Sequence, residues 1–171
     1  TRAWVARENR STQAELQADP RFAELRADAE AVLTNPAQLE PVEFIGDAVF
    51  QYHQSRAAPQ GVWRRSSRAA WLAGAPDWQT MIDLDQLSAQ DGRKWFFAGA
   101  SCRGDRCLVR LSDNGKDAVE TREFDLAASR FVAGGFFVPD SKSRTWWVDQ
   151  DRLLVAPVLG PESLNRSELP K

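Results

Sequence analysis

One histidine, one methionine and one tyrosine stand in 171 residues, with only two cysteines. His53 is therefore the sole imidazole that could serve as a general base, and a serine-hydrolase triad needs nucleophile, base and orienting acid together. Beside Gln54 at the end of a predicted strand, His53 reads as a half-exposed strand or turn residue. Two cysteines and one histidine far from them make no zinc set. Asp83, Asp85 and Asp91 cluster but lack the spacing of a Ca²⁺ loop, so they read as turn and capping carboxylates. Gly134–Gly135 is a lone turn pair, not a phosphate-cradling loop. No metal and no cofactor is expected, and no residue is assigned a catalytic role.

Long apolar runs are also missing, so nothing reads as a membrane span. The net charge is −2, from 22 Lys and Arg against 24 Asp and Glu, which argues against a nucleic-acid partner. Arg64–Arg65 and Arg103/Arg106 are the tight basic pairs, and solvated strand faces explain them. The chain opens at Thr1, its methionine is Met81, and no charged-then-apolar leader is present. The expectation is a chain cut at both ends, with localisation left open between cytoplasm and periplasm.

What is present is globular: 43% hydrophobic, 27% charged, with seven tryptophans and nine phenylalanines. Residues 3–34 read as two helices divided by Asp19–Pro20, with Asp19 as cap and Pro20 at the first helical position. Phe22, Leu25, Ala29, Val32 and Leu33 form one apolar stripe on the second. Asn35–Pro36 ends the helical part. Beyond Pro41 the texture turns to β. Strands are predicted near 42–46, 48–53, 62–66, 79–83, 95–102, 107–112, 118–124, 145–149 and 152–157. Asn114–Gly115 marks a hairpin between Leu108–Asp113 and Lys116–Phe124, and Gly104–Asp105 marks a type II′ turn.

That second turn fixes a geometry. Arg103 faces Arg106, and Cys102 faces Cys107 in a non-hydrogen-bonded pair, with Cα atoms expected about 4.5 Å apart. A structural disulfide and two adjacent thiols both fit; a catalytic redox pair does not, for want of Cys-x-x-Cys spacing. A disulfide would point to an oxidising compartment. Gly99-Ala100-Ser101-Cys102-Arg103 is the nearest approach to a nucleophile elbow, but its fifth residue is arginine and a hairpin follows where a helix is required.

A faint repeat runs through the β part. Met81-Ile82-Asp83-Leu84 resembles Glu123-Phe124-Asp125-Leu126 about 42 positions on, and Trp95-Phe96-Phe97 recurs as Trp146-Trp147 about 50 on. Four short strands per 40–50 residues is the mark of a propeller blade. Counting gives one group at 42–83, a second at about 95–138 and the start of a third at 145–157. Trp95, Trp146 and Trp147 are read as strand starts, at least one of each group packing between blades, and Trp63 as a strand residue of the first blade; a ligand platform is the other use of such residues. Open strand edges on a partial propeller lead us to expect self-association or residual disorder.

Several stretches resemble one family. Ala3-Trp4-Val5-Ala6-Arg7-Glu8-Asn9, then Leu16 and Asp19-Pro20-Arg21-Phe22, look like the N-terminal helical segment of prolyl-oligopeptidase-type serine peptidases. Gly61-Val62-Trp63-Arg64-Arg65 is similar to a first-blade motif of a bacterial branch, as is Trp78-Gln79-Thr80-Met81-Ile82-Asp83-Leu84-Asp85. Gly115-Lys116-Asp117-Ala118-Val119, Arg122 to Leu126, and Gly135-Phe136-Phe137-Val138-Pro139 before Lys142-Ser143 follow in the family's order. The resemblance implies a mainly β chain: blades one, two and the start of three of a seven-bladed propeller, preceded by a helical pair. Residues 1–36 would then pack on an α/β-hydrolase domain carrying a Ser-Asp-His triad beyond Lys171, and 41–171 would belong to the propeller. It also implies a peptide substrate met through that other domain, with this region gating substrate size. The competing reading is a non-catalytic propeller that binds a protein or glycan.

Overall fold

A computed structural model of the chain describes residues 2–35 and 40–156, which fall into two compact units, 1–39 and 40–171. The first holds helices α1 (Arg2–Gln17) and α2 (Phe22–Leu33). Between them the Asp19 carboxylate accepts the Arg21 backbone N–H at 2.9 Å and the Arg21 guanidinium at 2.9 Å. This local turn holds Pro20 ahead of the helix, so α2 begins at Phe22 and not at Pro20 as the sequence suggests. Thr34 closes α2 by donating its hydroxyl to the Glu30 carbonyl at 2.7 Å. Pro36, the predicted stop, lies outside the described residues. Neither helix buries a residue: Trp4, Val5, Leu16, Leu25, Val32 and Leu33 are exposed, Leu33 to 76%.

The second unit is built of antiparallel sheets. Strands β1 (Val42–Ile45), β2 (Ala48–His53), β3 (Val62–Ser67) and β4 (Gln79–Asp83) pair in chain order into one blade, with the short helix α3 (Arg68–Leu72) between the last two. Helix α4 (Leu84–Asp91) leads to the next sheet. There β5 (Trp95–Arg103), β6 (Arg106–Asp113) and β7 (Val119–Asp125) pair in order, and both β8 (Arg130–Phe131) and β9 (Phe137–Ser141) pair with β7. A two-stranded sheet, β10 (Arg144–Trp147) and β11 (Leu153–Ala156), follows.

Helix α4 has sequence causes that the strand reading passed over. The Asp83 carboxylate accepts the Gln86 N–H at 2.9 Å as N-cap, and Gly92, at φ +65°, supplies the left-handed stop. The Gly104–Asp105 turn pairs Arg103 with Arg106 and Cys102 with Cys107. Asn114 and Gly115 take φ +59° and +71°, as a type I′ turn needs. The ladder nonetheless resumes only at Leu111 opposite Glu120, leaving Lys116–Ala118 in the loop. Side bonds hold it open: Ser112 donates to the Lys116 carbonyl, and the Asn114 N–H to Lys94 at 2.8 Å. Trp146 and Trp147 end β10, where the sequence reading put them at a strand start.

The two blades share one core. Trp63, 2% exposed, stacks on Phe50 of its own blade at 5.1 Å and on Phe97 of the next at 5.5 Å, and meets Phe124 edge-on at 5.8 Å. Ile82, Leu84, Trp95, Val109, Leu111 and Leu126 belong to the same cluster. A buried tryptophan removes roughly 150–250 Å² from water, worth on the order of 4–6 kcal/mol at about 25 cal/mol per Å². The repeat noted in the sequence has this cause: Ile82 and Leu84 from blade one, and Phe124 and Leu126 from blade two, enter the same layer.

Candidate functional site

The polar groups nearest this core are committed to holding it. Gln60 bonds both oxygens of Asp85, through its backbone N–H at 3.1 Å and its side-chain amide at 3.2 Å. It also accepts the Ser88 hydroxyl at 2.9 Å, and Ser88 in turn accepts the Trp95 N–H at 2.9 Å. The Trp95 indole donates to Asp91 at 2.9 Å, and Arg122 donates to the same oxygen at 2.7 Å. Burial acts to raise the Asp91 carboxyl, but the bonds from Arg122 and Trp95 and the charges of Arg122 and Arg93 outweigh it and hold it below the usual carboxylate range. Arg122 and Arg93 both meet Glu120, at 2.5 and 3.0 Å, and both lie 5.2 Å from the Trp95 ring centre. Asp83, Asp85 and Asp91 are thus a cap, a loop tie and an ion-pair partner. Among the described residues no three of His, Cys, Asp and Glu gather as metal ligands.

His53 ends β2, and its Nδ1 lies 2.8 Å from each oxygen of Glu40. Arg64 stands 3.9 Å from the same carboxylate, over the Trp78 ring at 4.5 Å, and bonds Gln51. Among the described residues no hydroxyl or thiol nucleophile is bonded to this imidazole. Sequence reasoning placed His53 on its strand but missed Glu40, which no local pattern marks. Ser101 lies inside β5, its carbonyl accepting the Trp147 indole at 2.9 Å, far from the strand-to-helix bend of a nucleophile elbow. Cys102 and Cys107 face each other with Cα atoms 4.0 Å apart and their sulfurs joined.

Two open clefts flank the second blade. One, of about 680 Å³, lies between the blades beside Asp47, Ser66, Asp77, Asp105 and Leu126. In it the Ser66 hydroxyl and the Ser67 N–H hold the Asp77 carboxyl below its usual range. The other, of about 730 Å³, borders the β10–β11 sheet beside Arg103, Arg106, Glu123, Phe136 and Trp147. Neither is lined by a histidine, and the one hydroxyl–carboxylate contact among these lining residues, Ser66 donating to Asp77 at 2.6 Å, has no imidazole beside it.

A four-stranded and a five-stranded antiparallel sheet, packed on a shared aromatic core, define part of a β-propeller. The sequence profile described as "Prolyl oligopeptidase, N-terminal beta-propeller domain" matches residues 1–165. The chain belongs to the prolyl oligopeptidase family, within its N-terminal propeller domain. It is 37% identical over 168 residues to an uncharacterized peptidase, y4nA, of Sinorhizobium fredii, covering 96% of this chain and 23% of that protein. It is 26% identical over 178 residues to an uncharacterized peptidase of Rickettsia prowazekii, covering 98% of this chain and 25% of the relative. A solved post-proline cleaving enzyme from Rickettsia typhi has TM-score 0.83 and 25% identity, over 98% of this chain and 26% of that one. The chain spans about a quarter of the length of the relatives it matches.

Proposed function

We propose that this chain is the N-terminal propeller region of a serine peptidase that hydrolyses short, proline-containing peptides. The triad stands outside residues 1–171: serine attacks the scissile carbonyl, histidine carries the proton, and backbone N–H groups hold the oxyanion. The propeller limits which peptides reach that site, and residues 1–36 pack on the peptidase domain. The observation that carries this reading is the match of the family's propeller profile along residues 1–165. The exposed apolar residues of α1 and α2, without a buried partner, support the docking of the helical pair.

The test uses the full-length polypeptide. It is expected to react with a fluorophosphonate serine-hydrolase probe and to cut short prolyl peptides while sparing folded proteins. Removal of residues 41–171 should either admit larger substrates or unfold the enzyme. A folded deletion variant with unchanged size selectivity would sink the gating role, and a native species that resists the probe would sink the peptidase reading.

A further inference from the structure

Asn9 and Asn165 precede arginine, Asn35 precedes proline, and Asn114 precedes Gly115. The difference is chemical. The side-chain carbonyl carbon of an asparagine lies within reach of the next residue's backbone nitrogen, and a bond between them closes a five-membered ring. This is one source of the heat lability of asparagine. Proline has no N–H to give up. A Cβ on any other following residue crowds the approach, and glycine has none.

The structure leaves the Asn114–Gly115 pair open to that attack. Both residues are exposed at the tip between β6 and β7, at φ +59° and +71°. Among the described residues the Gly115 N–H meets no acceptor, while the Asn114 N–H is bonded to the Lys94 carbonyl at 2.8 Å. The Asn114 amide nitrogen donates to the Asp113 carboxylate at 2.9 Å, an exposed bond that water replaces at small net cost. A Cβ built on Gly115 would meet nothing nearer than the Phe96 ring at 3.9 Å, so this side of the turn is not tightly packed. The loop also has slack: the β6–β7 ladder closes at Leu111 opposite Glu120, and residues 115–118 belong to no strand. A change in the chain at Gly115 falls after the Lys94 tie and before β7, where those residues can absorb it.

We propose that Asn114 is a covalent modification site, converted by intramolecular deamidation. The Gly115 nitrogen bonds to the Asn114 Cγ, and the side-chain nitrogen leaves as ammonia, carrying off the Gly115 proton. Water then opens the ring at either carbonyl. One opening leaves aspartate at 114; the other leaves isoaspartate, with one more carbon in the main chain. Nothing is oxidised or reduced. Either product sets a new carboxylate beside Asp113 in place of the amide that donated to it, and like charges at that distance repel. Lys116, the nearest cation along the chain, is already paired with Asp140. The reaction therefore loosens the turn whose Lys94 tie adjoins the buried Trp95.

The test is peptide mapping by mass spectrometry of the full-length protein held at neutral pH, beside a synthetic peptide covering residues 110–120. Aspartate and isoaspartate are both expected at 114, at a rate within about tenfold of the free peptide's and ahead of conversion at Asn9, Asn35 or Asn165. A folded protein slower than that overturns the proposal, because the turn would then add more than about 1.4 kcal/mol to the barrier and protect the bond. Aspartate without isoaspartate also overturns it, since direct hydrolysis of the amide passes through no ring. Earlier conversion at another asparagine does the same.

Discussion

Arg65 of blade one donates its guanidinium Nη1 to the main-chain carbonyl of Leu126 in blade two, 3.0 Å away. The bond bridges the rim of the cleft between the blades, while Trp63, two residues back on the same strand, fills the core between them. One β3 strand therefore joins the sheets twice, once by a polar contact and once by an aromatic one.

Trp63→Ala removes the ring that touches Phe50, Phe97 and Phe124 together. The expected loss is about 3–5 kcal/mol, the range for large-to-small changes in a packed core. Equilibrium denaturation measures it. A loss under about 1 kcal/mol would mean that the blades do not depend on this cluster.

Asp91→Asn weakens the tie between α4, Trp95 and Arg122, with an expected cost of about 1–3 kcal/mol at neutral pH. The folded carboxyl titrates below its unfolded value, so its contribution is full above about pH 4 and fades as pH falls through the lower folded value. Wild type and variant should then converge in stability toward strongly acidic pH. Parallel curves down to that range would show that charge at Asp91 is not what stabilises the junction.

Cys102 and Cys107 are proposed to form a disulfide in the protein as isolated from an oxidising compartment. Alkylation under denaturing conditions, followed by intact mass, should show no adduct before reduction and two after it. Two adducts without reductant would leave the pair as neighbouring thiols.

Gly61 takes φ +82°, and a Cβ there would lie 2.5 Å from the Tyr52 ring. The ring cannot swing aside without breaking the Tyr52 hydroxyl's bond to the Gln60 carbonyl, 2.7 Å long. Gly61→Ala is expected to cost more than about 1 kcal/mol by combining backbone strain with that clash. A neutral substitution would show that the 54–61 loop relocates freely.

Legibility in the sequence followed the range of the interaction. The Gly104–Asp105 hairpin and the facing cysteines were readable because two-residue turn chemistry sets register over adjacent positions. The blade count was readable from recurring strand lengths. The start of α2 and the loop after Asn114 departed from expectation because side chains, Asp19 in one case and Ser112 in the other, redirected backbone bonds. Strand β9 was folded into a broad second group because its partner, β7, is separated from it by the short β8 and a glycine turn. The His53–Glu40 contact was invisible, since it depends on residues brought together by a returning chain, with no periodicity to mark them.

The shared aromatic core also sets a timetable. Trp63 and Phe50 are synthesised before Phe97, and Phe97 before Phe124, yet all four occupy one layer. At about 5–20 residues per second, blade one waits on the order of seconds for the strand that covers it. During that interval it presents the apolar face of Phe50, Trp63 and Ile82 uncovered, so the emerging chain is most in need of protection after β4 leaves the ribosome and before β7 does.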